Sequence, residues 1–442
     1  MTTGLERIAT KAQQERKLCF TSLAHHLTPL LLWECLKSIP ANSAAGIDGV
    51  DVKTAKETFS DWAQPMIDAV HRRGYKPPAA RRVFIPKPGK QAKRPIAIAT
   101  IADRVLQKAV SKILGEIYEQ DFTANSFGGR PRRSAHQAVA VLQNTITRQR
   151  VNWIFEADLK SFFDSLNQEW VERFLSLRVA DPRITTLIKR WLKAGVMEEQ
   201  DVRVSEVGTP QGGPISVLIS NLYLHYTLDL WIEKVVKPRI NGEVYYIRYL
   251  DDFVLCFQYK GEAMRFERVL RKRLEKFGLT LETSKTRLVR FGRFAQLEAK
   301  QRRERQETIY FLGFTFYCSK TRNGAFKVGF KTEKSRLRRT HLKLKLLMRK
   351  LRHRPLQEQQ QAINRLLVGH YNYFAFSGNL RALRSVYYFA LKYWRKCLSS
   401  RSQRGKVNWE KYRRILKVLP LREPKIQFSY TRLTRMVLLL DL

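Results

Sequence analysis

The sequence predicts an α+β fold that gives way to an all-helical region, and three observations carry that prediction. Short apolar, β-rich runs alternate with stretches of helical spacing through the middle of the chain, which is the pattern of a mixed domain with an antiparallel sheet. From residue 334 the spacing becomes purely helical. The charge steps at the same place: residues 331–442 hold 28 Lys/Arg against 5 Asp/Glu, a net +23 over 112 residues, whereas the first 330 residues carry +20.

The elements follow in order. Residues 5–40 have helical spacing that closes at Pro40, and AGIDGV (45–50) is a turn with two glycines bracketing Asp48. Two helical stretches containing Trp62 and Val70 come next. RRVFIPKPGKQAKRPIAIAT (81–100) is two apolar runs around Pro-Lys-Pro-Gly-Lys, the outline of a hairpin with a basic tip. Residues 103–120 return to helical spacing, and WIFEADLKSFFDSL (153–166) reads as a strand running into a helix. A Gly/Pro-rich turn then opens a long apolar helix over residues 208–232. VYYIRYLDDFVLCF (244–257) is a hairpin with Asp-Asp near its tip, residues 262–278 form an amphipathic basic helix, and IYFLGFTFYCS (309–319) gives another strand pair. No internal repeat or low-complexity segment interrupts the chain. These boundaries divide it into an N-terminal helical extension (1–44), a mixed body (45–330) and a basic helical region (331–442).

Charge and cysteine usage narrow the function. The 442 residues contain 82 Lys+Arg and 39 Asp+Glu, a formal +43 at pH 7. So one-sided a balance repels itself unless a polyanion is present, which points to nucleic acid. No apolar run approaches the ~18 residues of a membrane span, and the N-terminus has no apolar signal core. Five scattered cysteines without a CxxC pair argue against a disulfide framework or a zinc site, and fit a reducing cytoplasm. In KSRLRRTHLKLKLLMRKLRHR the spacing puts Leu337, Leu344, Leu347 and Leu351 on one stripe, with Arg338, Arg339, Lys343 and Lys350 off it. One side packs on protein; the other needs an anion.

Asp158 ends an apolar strand, and Asp251-Asp252 sit at the tip of an apolar hairpin. Clustered aspartates repel, so their convergence makes sense chiefly with divalent cations between them. Oxygen ligands select a hard ion such as Mg²⁺, and two such ions about 3.5–4 Å apart activate a hydroxyl and stabilise a departing pyrophosphate. Arg130, Arg132 and Arg133 surround Pro131 beside His136; three guanidiniums this close repel unless phosphates or carboxylates lie between them. Template-backbone contact and structural anchoring are the two readings of that cluster.

Taken together, the segments resemble a reverse transcriptase of the bacterial group II intron type, in the family's motif order over roughly residues 45–420. Tyr249-Leu250-Asp251-Asp252 resembles the YxDD box, and DLKSFFD (158–164) resembles the motif with the first catalytic aspartate. SFGGRPRRSAHQA (126–138) is similar to the FGxRPxRSxHxA segment, Thr209-Pro210-Gln211-Gly212-Gly213 to the nucleotide-pocket turn, and Phe311-Leu312-Gly313-Phe314 to the primer-grip strand. The resemblance implies a right-hand polymerase, with fingers and palm over 45–330 and a helical thumb/maturase domain over 331–442. It implies a metal triad of Asp158, Asp251 and Asp252 holding two Mg²⁺ ions, and a steric gate at Phe163 with Phe162 as its core neighbour. Lys87, Arg94 and Gln211 would contact the nucleotide, and Lys285 would protonate pyrophosphate. Tyr249, Leu250 and Gly313 would lie along template and primer. The implied partners are structured group II intron RNA, a DNA target or primer, and deoxynucleoside triphosphates. The basic helices fit RNA binding, whereas Tyr371, Tyr373 and Tyr393 read as core residues ahead of base-stacking platforms.

Two departures stand out. Leu250 occupies the variable place of a box that most often reads YADD, near the primer end. No HNH-type nuclease signature occurs up to Leu442, so cutting of a second DNA strand is expected to come from elsewhere. The expected function is target-primed reverse transcription of an intron whose splicing the protein assists. The alternatives are a domesticated relative serving phage defence or DNA repair, and a maturase without polymerase activity. The intact Asp158, Asp251, Asp252, Phe163 and Gln211 argue against the last.

Overall fold

The computed structural model describes residues 2–86, 93–194, 196–198, 201–203, 213–402 and 405–440. Lys87 and Gln211 lie outside the described residues, as does the side chain of Arg94. Eleven strands are described, here β1 (Ala80–Pro86), β2 (Lys93–Ile98), β3 (Trp153–Asp158), β4 (Val196–Glu198), β5 (Asp201–Arg203), β6 (Val244–Tyr249), β7 (Asp252–Phe257), β8 (Arg287–Arg290), β9 (Ile309–Phe311), β10 (Phe314–Lys320) and β11 (Phe326–Thr332). They form three sheets, of order β2-β1-β4-β5, β6-β7-β3-β8 and β11-β10-β9. The mixed α+β reading holds, with antiparallel pairing throughout except β1 against β4, and the C-terminal region is helical.

The four-stranded β6-β7-β3-β8 sheet is the centre of the molecule, because side-chain alternation divides it between two cores. Phe155 and Ala157 of β3, with Phe253, Leu255 and Phe257 of β7, join a core shared with the first helices of the chain. Their neighbours Ile154, Val254, Cys256 and Val289 face the other way. They join a second core with the helix Ala135–Arg148, the β9–β11 sheet and the C-terminal helices. Burial on both faces explains why these runs are nearly continuous in apolar residues.

The N-terminal segment is helical in two pieces, Thr2–Gln14 and Pro29–Lys37, the second opened by the Thr28 hydroxyl accepting from Leu31 N. The chain between them is tied down by polar groups: Asp181, fully buried, accepts from Leu23 N at 2.6 Å and Ala24 N at 2.9 Å. The predicted hairpin at 81–100 is β1–β2, in the register Arg81↔Ile98 to Pro86↔Lys93. The predicted pair at 309–319 is β9–β10, joined by a two-residue turn at Leu312 (φ 49°) and Gly313 (φ 79°), both in the left-handed region that such tight turns require.

In the helix Lys334–Lys350 the fully buried residues are Leu344 and Met348, while Leu337 and Leu347 are half-buried, as is Leu351 just past its end. The expected stripe therefore runs slightly differently, through Met348. The outer face is also less uniformly basic than expected, since Leu342 and Leu346 are both more than half exposed there. Among the described residues, no helix is long and apolar enough to cross a membrane.

Candidate active site

The site begins with a register. β3 and β7 pair antiparallel so that Asp158 stands directly opposite Asp252, and β6 pairs with β7 so that Tyr249 also faces Asp252. Leu250 and Asp251 form the turn between β6 and β7, with Leu250 left-handed at φ 56°. Three carboxylates from two distant stretches of sequence thus share one end of the central sheet.

Their electrostatics follow from that crowding. Burial, then the charges of Asp158, Asp251 and Glu156, push Asp252 up to about 8. The Lys285 ammonium is hydrogen-bonded to the Asp158 carboxylate. Burial alone pulls Lys285 down, but that bond and the three aspartates outweigh it, so its pKa is raised and it stays charged. Glu156, two residues before Asp158 on the same face of β3, is a fourth carboxylate, bonded by the Arg287 guanidinium and the backbone N–H of Tyr310.

Beyond Asp158 the chain turns through Ser161, left-handed at φ 46°, into the short helix Phe162–Ser165. Phe162 is buried; Phe163 is half-buried, its ring 5.5 Å from that of Phe162 and edge-on to it. The 126–138 segment lies beside the β6–β7 hairpin, Phe127 N donating to Arg248 O at 2.9 Å. Its arginines separate in role. Arg130 is turned inward, paired with Glu119 at 3.0 Å and donating to the carbonyls of Thr123 and Ser126. Arg132 is exposed, and Arg133 is half-buried with its guanidinium over the Phe127 ring. A carboxylate does lie among these cations: Glu119 attracts both Arg130 and Arg133. His136 Nε2 meets the Tyr373 carbonyl at 3.1 Å, and the Tyr373 hydroxyl donates to Leu312 O at 3.0 Å in the turn beside Gly313.

Residues 85–316, which include the three aspartates, Phe163 and the 126–138 segment, match the family described as "Reverse transcriptase (RNA-dependent DNA polymerase)". The chain belongs to the reverse transcriptases. Among similar proteins, the "Group II intron-encoded protein LtrA" of Lactococcus lactis subsp. cremoris is 32% identical over 222 residues, covering 50% of this chain and 37% of LtrA. "Protein YkfC" of Escherichia coli (strain K12) is 31% identical over 295 residues, 60% of this chain and 77% of YkfC. The Arabidopsis thaliana "Nuclear intron maturase 3, mitochondrial" is 25% identical over 174 residues, 34% of this chain and 24% of its own length. This reverse transcriptase thus spans little more than a third of LtrA and about three quarters of YkfC. The expected kinship with group II intron-encoded proteins is borne out.

Reverse transcriptases typically use divalent cations, and the residues of this one fit them. Burial and the neighbouring carboxylates push Asp252 up to about 8, and the Lys285 ammonium is hydrogen-bonded to Asp158. Among the described residues no three His, Cys, Asp or Glu side chains already close round a single point. Closure on an ion would therefore involve turning the carboxylates and moving the ammonium off Asp158. Sequence reasoning overlooked four residues around the site: Glu156, Asn221, Asp229 and Arg248. A charged residue inside an otherwise apolar strand, as in WIFEAD and VYYIRYL, was the signal available for the first and last.

Proposed function

We propose that this reverse transcriptase is a right-hand polymerase that binds a structured group II intron RNA, assists its splicing and copies it into DNA from a target primer. Fingers and palm would span residues 45–330, preceded by the helical extension 1–44 and followed by a helical thumb/maturase region, 331–442. The observation that carries the polymerase reading is the β3–β7 register, which sets Asp158 opposite Asp252 with Asp251 in the adjoining turn. Those three carboxylates would hold two Mg²⁺ ions. When bound, the ions supply positive charge to the attacking 3′-hydroxyl and the departing pyrophosphate.

The chain's own residues do the rest. Phe163, half-exposed at the end of a strained turn, would sit under the sugar of the incoming deoxynucleoside triphosphate and exclude a 2′-hydroxyl by volume. Lys285, kept protonated by Asp158, would give its proton to the leaving pyrophosphate. Arg132 is the arginine of its cluster open to a template phosphate, while Arg130 braces the segment that carries it. Lys87, Arg94 and Gln211 complete the nucleotide contacts, and the Leu312-Gly313 turn supports the primer with Tyr249 and Leu250. The net +23 of residues 331–442 supports the RNA partner.

Primer extension on an RNA template tests this reading. Asp251→Asn removes one ligand charge without changing side-chain size. Extension should fall to below about one per cent of wild type, because in-line transfer depends on the full charge of the site. The same variant should keep wild-type affinity for intron RNA. Extension at more than a few per cent of the wild-type rate would sink the triad assignment.

A further inference from the structure

The turn that carries Asp251 is tied to a buried polar network. Leu250 adopts a left-handed backbone that a branched side chain rarely takes, and such conformations persist only where the surroundings enforce them. Here its carbonyl oxygen accepts from Arg248 Nη1 at 3.2 Å. The same nitrogen donates to Asn221 Oδ1 at 3.0 Å, and Asn221 Nδ2 donates to Gly128 O at 2.8 Å. The other side of the guanidinium is occupied by Asp229, with Nε to Oδ1 at 2.7 Å and Nη2 to Oδ2 at 2.5 Å. Tyr246 donates its hydroxyl to Asp229 Oδ1 at 2.8 Å. Arg248 and Asp229 are both completely buried.

Side-chain packing reinforces the bond to Leu250. A Cβ on Gly128 would come within 2.5 Å of Leu250 N and 2.7 Å of its Cγ, so the absent side chain is what lets Leu250 lie there. Leu250 is thus packed toward residues 128–129. Asn221 sits on the helix Pro214–Leu224, which follows residues 209–213 in the sequence. Three segments far apart in sequence are therefore joined through Arg248 and Asn221: the 125–129 strip, that helix and the β6–β7 hairpin. A buried ion pair adds little net stability over apolar residues of the same volume, so stability alone does not account for it.

We infer that Arg248 and Asn221 are positioning residues of the polymerase, holding the left-handed Leu250 turn so that Asp251 and Asp252 keep a fixed place relative to the nucleotide-pocket helix. The inference rests on the proposed role of the three aspartates. Arginine is needed because only its planar fork grips both oxygens of Asp229 while Nη1 reaches Leu250 O and Asn221. A lysine ammonium keeps the charge beside Asp229 but cannot span both sides.

Arg248→Lys and Asn221→Leu test it, the second removing both asparagine bonds while leaving the Arg248–Asp229 pair in place. On the full chain, kcat, the dNTP KM and the Mg²⁺ concentration for half-maximal extension are measured beside the thermal unfolding midpoint. Each variant should lose roughly ten- to a hundredfold in kcat and need several-fold more Mg²⁺, as for outer partners of metal ligands. The dNTP KM should change by less than about threefold, as expected when ground-state binding is untouched. Wild-type kcat and Mg²⁺ requirement in the folded variants would overturn the inference, even if their unfolding midpoints drop. Should Asn221→Leu not fold, Arg248→Lys decides alone by the same readouts. Asp251→Asn run in parallel separates the two levels. If it is active, the aspartate reading fails; if it is inactive while both network variants behave as wild type, only the positioning role fails.

Discussion

Phe162 and Phe163 are adjacent and chemically identical, yet the left-handed Ser161 and the short helix after it send one into the core and leave the other half open. That difference supports the proposed gate role of Phe163 over Phe162. Phe163→Ala should raise ribonucleotide incorporation relative to deoxynucleotide by about tenfold or more, since a ring excludes by volume and its loss leaves no penalty. A variant that still extends with an unchanged selectivity ratio would return Phe163 to the core. Phe163 was marked only by the family resemblance; the aspartates were legible from the sequence itself, because carboxylates are costly at the ends of apolar strands. The role of Arg248 was not. In VYYIRYL the lone charge stands out from an otherwise apolar strand, but nothing there names its partners, since Asp229 and Asn221 are brought to it by the fold. Arg130 shows the same limit, because Glu119, which neutralises it, is brought near by the fold.

At the scale of elements, spacing predicted the β1–β2, β6–β7 and β9–β10 pairs well, since each is a local hairpin whose turn chemistry lies between its strands. The sheet order was beyond it. β3 lies between β7 and β8, pairings that span about a hundred residues and leave no mark in either strand alone. The helix Lys334–Lys350 presents Arg338, Lys343 and Lys350 outward, with Arg339 partly covered. Changing these four to glutamate should weaken RNA binding and flatten the salt dependence. The slope of log K against log salt should lose about 0.9 for each duplex phosphate contact removed. Folding should survive, because Leu344 and Met348 hold the opposite face. Unchanged affinity and slope would move the RNA surface to the N-terminal extension and fingers. Polymerase activity on a short primer–template should suffer less than binding to long structured RNA.

For the whole molecule, the charge step near residue 330 does not coincide with a break in the core. The second core runs from Phe127 to Leu440 and includes Ile154 and Val254 of the central sheet. The N-terminal extension is joined just as firmly at the other side, and Asp181 is its clasp. Burial pushes that carboxyl up, but Arg183 and the backbone N–H groups of Leu23, Ala24 and Arg183 overcome this and hold it at about 2, below its ordinary 3.8. A carboxylate depressed on folding stabilises above its unfolded value and loses that contribution as pH falls through the folded one. Asp181 should therefore contribute about 2 kcal/mol near neutral pH, lost between about pH 4 and 2. Asp181→Asn should cost a similar amount in urea unfolding at pH 6, with the gap to wild type closing as pH drops through that window. A gap that stays constant down to pH 2 would show that the clasp does not depend on the ionised carboxylate.

The shared central sheet also bears on how such a chain can be recombined. A C-terminal region exchanged at residue 330 for that of a distant relative would arrive with helices shaped for another protein's counterpart of the Ala135–Arg148 helix and the β9–β11 sheet, which share a core with Ile154, Val254, Cys256 and Val289. The misfit would fall on the layer behind the central sheet, whose strands β3 and β7 carry Asp158 and Asp252. Successful chimaeras should be those that move β9–β11 with the helices and carry the outward-alternating residues of β3, β7 and β8 along with them, so that the seam of inheritance follows the sheet face and not the chain.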